Sequence, residues 1–173
     1  MDVEQVPVIH VKNLEAGQLQ PKPDLKPEGI PRGPKLEKQQ LESGDILVSA
    51  RGTLLKCAVI RSPHVWCVAS ANFIMIRLDK DSRLHPELLC AYLRQSKTQS
   101  LLMSKVSSTA QPALNIGDIK VLCVEIPDHA IQANLVNLLR VAEEQYCTAL
   151  ELAELLHDDA LSIVAEYMEE SNA

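Results

Sequence analysis

The sequence predicts an α+β fold: a small mixed β-sheet domain, partly barrel-like, with short helices, followed by one long C-terminal coiled-coil helix. Three observations carry this. Short β-branched and apolar runs, punctuated by Pro, Gly and Ser, recur between residues 6 and 78. Helical 3–4 spacing begins at His85-Pro86. From Leu135 to Tyr167 that spacing never fails, in a stretch free of Pro and Gly. The 173 residues divide accordingly into a domain at 1–127 and a helix at 128–173.

Val6-Pro7-Val8-Ile9-His10-Val11 reads as a strand, placed at an edge because Pro7 has no N–H to give a ladder. Between Gln18 and Gln40, Pro21, Pro23, Pro27, Pro31 and Pro34 alternate with Lys and Arg, which predicts a long basic loop. Ser43-Gly44-Asp45 is a turn. Ile46–Ala50 and Leu54–Ile60 then read as a hairpin joined at Arg51-Gly52-Thr53. Ser62-Pro63 breaks the second strand. Val65–Val68 and Asn72–Leu78 are further strands, apolar on both faces and hence covered on both sides. Pro86 and Glu87 suit the first turn of a helix carrying Leu88, Leu89, Tyr92 and Leu93. A second short helix covers 97–105. Val106–Gln111 is a Ser/Thr-rich loop and Ile119–Ile126 the last strand. Pro127 ends that strand, and Asp128 caps the long helix.

The long helix carries Leu135, Leu139, Ala142, Tyr146, Ala149, Ala153, Leu156, Ala160, Ile163 and Tyr167 at steps alternating between four and three. Such a seam asks for a second helix, and its four alanines permit close approach. The alternative folds the segment back on its own domain or splits it into a hairpin.

Charge divides the same way. The formal total of −6 conceals a first part with sixteen basic and thirteen acidic residues, and a helical part with Arg140 against ten acids. The first part can meet phosphate; the second cannot. An acidic, solvated helix is the plainer explanation of the second.

Other functions lack their chemistry. No run approaches 18 apolar residues, and the start shows no secretory pattern. The cysteines Cys57, Cys67, Cys90, Cys123 and Cys147 are scattered, which fits reduced thiols in a cytoplasm, not disulfides or zinc. No phosphate-cradling glycine loop or nucleophile elbow appears, and His10, His64, His85, His129 and His157 stand alone. Pro23-Asp24 with Asp118-Ile119-Lys120 is only a fragment of a nuclease pattern, whose carboxylates belong on adjacent strand ends. No cofactor, metal or catalytic residue is therefore expected. Trp66, Phe73, Tyr92, Tyr146 and Tyr167 are too few, and too committed to strands and seam, for base stacking.

Leu41–Ile60 (LESGDILVSARGTLLKCAVI) resembles the target recognition domain of type I restriction-modification specificity subunits. Three segments agree in order: Val8–Leu14, His85–Leu93, and Ser108–Leu122 continuing through Glu125-Ile-Pro127 to Gln132. The resemblance implies a non-catalytic, sequence-specific reader of duplex DNA that docks onto adenine methyltransferase subunits, in a complex open to a restriction subunit. In that family two recognition domains alternate with two long helices, which pair antiparallel. This chain has one of each, so it resembles half a subunit; it also departs from the family by beginning close to the early strand, without the segment that normally precedes it. A homodimer through the seam restores two readers and favours a bipartite DNA site. The ten acids oppose pairing where they face each other, unless a basic methyltransferase groove offsets them.

Candidate DNA contacts are side chains able to reach phosphate or base edges. They are Arg51 and Thr53 on the hairpin turn, Lys56 and Arg61 beside the returning strand, and Ser107, Ser108, Thr109 and Gln111 in the polar loop. Lys22, Lys26, Arg32 and Lys35 add charge from the proline-rich stretch. The competing function is a degenerate interaction module that binds methyltransferase subunits through its helix without useful DNA affinity.

Overall fold

The structure, a computed structural model, describes residues 3–20, 25–51, 55–61, 67–105 and 113–170, with backbone alone at Lys35, Lys38 and Glu170. Among the described residues, fourteen elements run in order. A strand β1 (Val3–Ile9) leads through a 3-10 turn (Val11–Asn13) to β2 (Leu14–Glu15) and β3 (Gln18–Leu19). Then come β4 (Pro27–Pro31), α1 (Pro34–Gln39), β5 (Ile46–Ser49), β6 (Cys57–Val59), β7 (Val68–Ala69) and β8 (Phe73–Ile76). Helices α2 (Pro86–Arg94), α3 (Ser96–Lys105), α4 (Ile116–Lys120) and α5 (His129–Glu170) complete the chain. The strands form two open mixed sheets, ordered β4-β1-β7 and β2-β3-β6-β5-β8.

The expected α+β architecture is present. β5 and β6 form the predicted antiparallel hairpin, with Ile46 opposite Val59 and Val48 opposite Cys57. Side chains alternate across a strand, so β5 feeds two cores. Ile46 and Val48 pack with Leu89, Cys90, Leu93 and Leu102 of α2 and α3. Leu47 packs on the other side with Ile9, Leu14, Leu41 and Ile60. Gly44, at φ +93, turns the chain into β5, a conformation that L side chains rarely adopt. His85 caps α2 by accepting the Glu87 N–H at Nδ1, 3.3 Å away, and Pro86 occupies the first turn.

Three expectations need correction. β1 lies in the middle of its sheet, not at an edge. Pro7 is tolerated because it sits opposite Pro27 at the end of the β4 pairing, while β7 joins only from Val8 onward. The stretch from Gln18 to Gln40 is not one loop: it holds β3, β4 and α1. Prolines occupy the ends of edge strand β4 and the first turn of α1, positions that need no ladder or helix donor from them. Finally, Ile119–Ile126 is not a strand. Residues Ile116–Lys120 are helical, and the Asn115 N–H donates to Asp118 Oδ2 at 3.0 Å across the start of that turn. Beyond it, Leu122 and Val124 pack on the core without a ladder partner.

Buried polar side chains lock the segments together. Gln132 is 5% exposed. Its Oε1 accepts the His85 N–H at 2.9 Å, and its Nε2 donates to the carbonyls of Arg83 and Pro127, both at 2.8 Å. Gln99 does the same between α3 and β6, accepting from Leu55 N and donating to Leu55 O and Leu93 O. The Asp45 carboxylate, 1% exposed, receives Arg77 Nε and Nη2 at 2.7 Å each, and the same guanidinium reaches Glu42 Oε1 and Gln40 O. Hydrogen bonding to Asp45 raises the Arg77 pKa further above its usual range, against partial desolvation, so its charge persists at any working pH.

Two compact units fall at Met1–Val136 and Asn137–Ala173. Helix α5 runs unbroken through that boundary, 42 residues in all, or about 63 Å at 1.5 Å per residue. No helix of the described residues is long and apolar enough to cross a membrane. Replacing Arg77 with Ala leaves a buried carboxylate without its cation, and should lower the unfolding free energy by about 3 kcal/mol. Urea denaturation measures this; a loss below ~0.5 kcal/mol would show that the clasp is idle.

Candidate nucleic-acid interface

Arg51 forms an isolated antiparallel bridge with Ala113, and the Leu114 N–H donates to Ala50 O at 2.8 Å. Residues 50–51 and 113–114 thus lie side by side, although they are far apart in sequence. Arg51 is exposed there. Thr53, Ser107, Ser108, Thr109 and Gln111 lie outside the described residues, as do Lys22 and Trp66.

The other candidates differ in their commitments. Lys56 donates from Nζ to Leu14 O at 3.0 Å, and from its backbone to Ser49 Oγ at 2.9 Å. Its ammonium remains partly exposed at a cavity that Arg94, Gln99, Cys57 and Glu15 also line. Arg61 is a structural tie: Nε meets the buried Glu87 carboxylate at 3.1 Å, and Nη1 meets Gln18 Oε1 at 2.7 Å. Arg32 pairs with Glu4 at 3.0 Å on the surface, where such a pair contributes little stability. Lys26 is exposed, and Lys35 lies in the first turn of α1. Of the basic candidates beside the hairpin, Arg51 is exposed and Lys56 partly exposed. Arg94, in the last turn of α2, lines the same cavity as Lys56 and is not among the sequence candidates.

No catalytic arrangement appears among the described residues. Asp118 belongs to a helix and accepts from its own turn, and Asp24 lies outside the described residues. No group of three or more His, Cys, Asp or Glu side chains is placed to hold a metal among the described residues. Burial pushes the Cys57 thiol up to about 12, with the Arg94 charge pulling weakly the other way, and pushes Cys67 to about 11. Neither thiol is a nucleophile at neutral pH.

The seam of α5 stays open to solvent. Tyr146 is 51% exposed, Leu156 62% and Tyr167 71%; Leu135, Ala142, Ala149, Ala153, Ala160 and Ile163 are also exposed, and Leu139 is half-buried. At 100° per residue, Glu144, Glu151, Asp158 and Glu169 fall on the side opposite the line Ala142, Ala149, Ala153, Ala160. These four acids thus lie away from the seam, whereas Glu143 and Asp159 flank it at about 100° to either side.

No family model matches the chain, and no curated protein matches it. Solved structures do. A chain from a structure on complex assembly and conformational transition of the type I R-M system superposes with a TM-score of 0.61 and 18% identity, over 86% of this chain and 38% of that one. The HsdS subunit from Thermoanaerobacter tengcongensis gives a TM-score of 0.61 and 18% identity, over 88% of this chain and 42% of that one. The fold is thus that of part of an HsdS subunit, as the sequence resemblance implies. The chain spans about two fifths of the length of the structures it matches.

A thiol-specific reagent at pH 8 should titrate Cys123 at once in the folded protein, and Cys57, Cys67 and Cys90 only after unfolding. Raised folded-state pKa values also stabilise the fold fully below the unfolded value of 9.0. That contribution disappears as pH climbs toward 11 and 12. Thermal melts should therefore drop progressively above pH 9, and Cys57→Ser should blunt the drop; an unchanged alkaline slope in that variant counts against the assignment.

Proposed function

We propose that this chain is a non-catalytic, sequence-specific duplex DNA recognition subunit of a type I restriction-modification complex, acting in the cytoplasm as a homodimer of half-subunits. The carrying observation is the match of nearly the whole chain to about two fifths of HsdS-type chains. A protein with one recognition unit and one long helix is completed by a second copy. The exposed seam supplies the contact, and Glu144, Glu151, Asp158 and Glu169, on the opposite side of the helix, do not face it. Antiparallel pairing puts one recognition unit at each end, matching a two-fold bipartite site. Methyltransferase subunits, and with them a restriction subunit, are the partners this assembly serves.

The commitment of Arg61 to Glu87 and of Arg32 to Glu4 favours a second reading, in which the domain binds methyltransferase subunits with little DNA affinity. Salt separates the two. A phosphate-contacting domain loses duplex affinity steeply between 50 and 200 mM salt, whereas an interaction module has none to lose. Light scattering should give twice the chain mass of 19.1 kDa, and Ala153→Glu should return it to a single chain. A protein that is monomeric at tens of micromolar defeats the homodimer. Replacing Arg51 and Gln111 with Ala should weaken binding and alter sequence preference; no change in either removes them from the contact set.

A further inference from the structure

The seam of α5 has the same order of small and large residues from either end, about a centre at Glu151. Ala149 and Ala153 lie two positions from that centre, Tyr146 and Leu156 five, and Ala142 and Ala160 nine. Leu139 and Ile163 lie twelve positions away, and Leu135 and Tyr167 sixteen. Each of these pairs couples small with small or large with large. Glu151 is on the opposite side of the helix and marks only the level. The apolar strip continues onto the edges of the seam, where Leu150 is 38% exposed, Leu152 56% and Val164 55%. Monomers rarely leave a continuous strip of this kind bare.

From this self-matching we propose that two copies of α5 pair antiparallel in a single register, with the two-fold axis crossing the seam at the level of Glu151. This rests on the homodimer reading and adds to it which residue meets which. A two-fold contact brings residue i of one copy to j of the other, and j to i. About Glu151, that exchange sets Ala149 against Ala153, Ala142 against Ala160 and Tyr146 against Leu156, so every seam residue meets its equal in size. Sliding one helix by a heptad sets Ala142 against Tyr167, or Tyr146 against Ala149, and leaves two seam residues of each copy without a seam partner.

The edges of the seam select the orientation. One edge carries Glu143, Leu150, His157 and Val164, and the other Leu138, Gln145, Leu152, Asp159 and Glu166. A two-fold axis perpendicular to the helices brings each edge to its own counterpart. Glu143 then comes to His157, Gln145 to Asp159, Leu150 to Leu150 and Leu152 to Leu152, and no flanking acid meets another acid. Val164 comes toward Val136, which is already buried. Glu166 alone is set against an apolar side chain, Leu138. A parallel pair in register also matches the seam, each residue with itself, but it crosses the edges. Leu138 then meets Glu143, Gln145 meets Leu150, Leu152 meets His157 and Asp159 meets Val164, each an apolar group against a polar one.

The test is cross-linking of the full chain by a short bis-maleimide, in a background where Cys123→Ser and Cys147→Ser remove the thiols that are not buried. Leu150→Cys, beside its own copy at the axis, should move most of the protein to twice the 19.1 kDa chain mass on a denaturing gel. Ala142→Cys alone should stay at the single mass, and mixing it with Ala160→Cys should restore the doubled band. All three positions are exposed in the single chain, and an unchanged melting temperature verifies that each variant folds. Cross-linking of Ala142→Cys with itself overturns the proposal in favour of parallel pairing. Light scattering at twice the chain mass with no doubled band from Leu150→Cys shows the register to be wrong while the homodimer stands. A single-chain mass for the unmodified protein removes both.

Discussion

A strand buried on both faces governs the rest of this domain. β5 sends Ile46 and Val48 to one side and Leu47 to the other, and none of the three keeps contact with water. Each face must then be covered by a separate layer. Helices α2 and α3 cover one, and the early strands with Leu41 cover the other. With both sides taken, the ends of the strand are left, and Arg51 lies just past one of them. The position of Arg51 is thus a by-product of how the core is closed.

Much of this was legible in the sequence because burial leaves a periodic signature. Ile46–Ser49 with its hairpin partner, Pro86 at the start of α2, and the unbroken 4–3 spacing from Leu135 to Tyr167 all speak locally. The failures share a cause: a neighbour distant in sequence decided the outcome. Pro7 looked like an edge residue until Pro27 came to lie across from it. Ile119–Ile126 has strand-like composition, yet Asp118 turns the backbone helical by accepting from Asn115. Among the candidate contacts, Arg61 resembled a free cation because nothing near it in the chain announces Glu87 or Gln18 as partners.

The charge distribution shows why net charge is a poor guide here. A chain at −6 overall holds ten of its acids beyond residue 127 and none at residues 46–78 or 88–117. What a polyanion meets is set by the local arrangement within a Debye length of about 8 Å at physiological ionic strength, not by the sum.

Gln132 and Gln99 have a common property with a consequence for divergence. Every hydrogen-bond partner described for the two amides is a main-chain atom: His85 N, Arg83 O and Pro127 O for one, and Leu55 N, Leu55 O and Leu93 O for the other. Main-chain groups persist whatever side chain occupies the position. The joints at the foot of α5 and beneath β6 thus constrain two glutamines and leave their surroundings free to drift. Replacing either glutamine, by contrast, removes three hydrogen bonds at once.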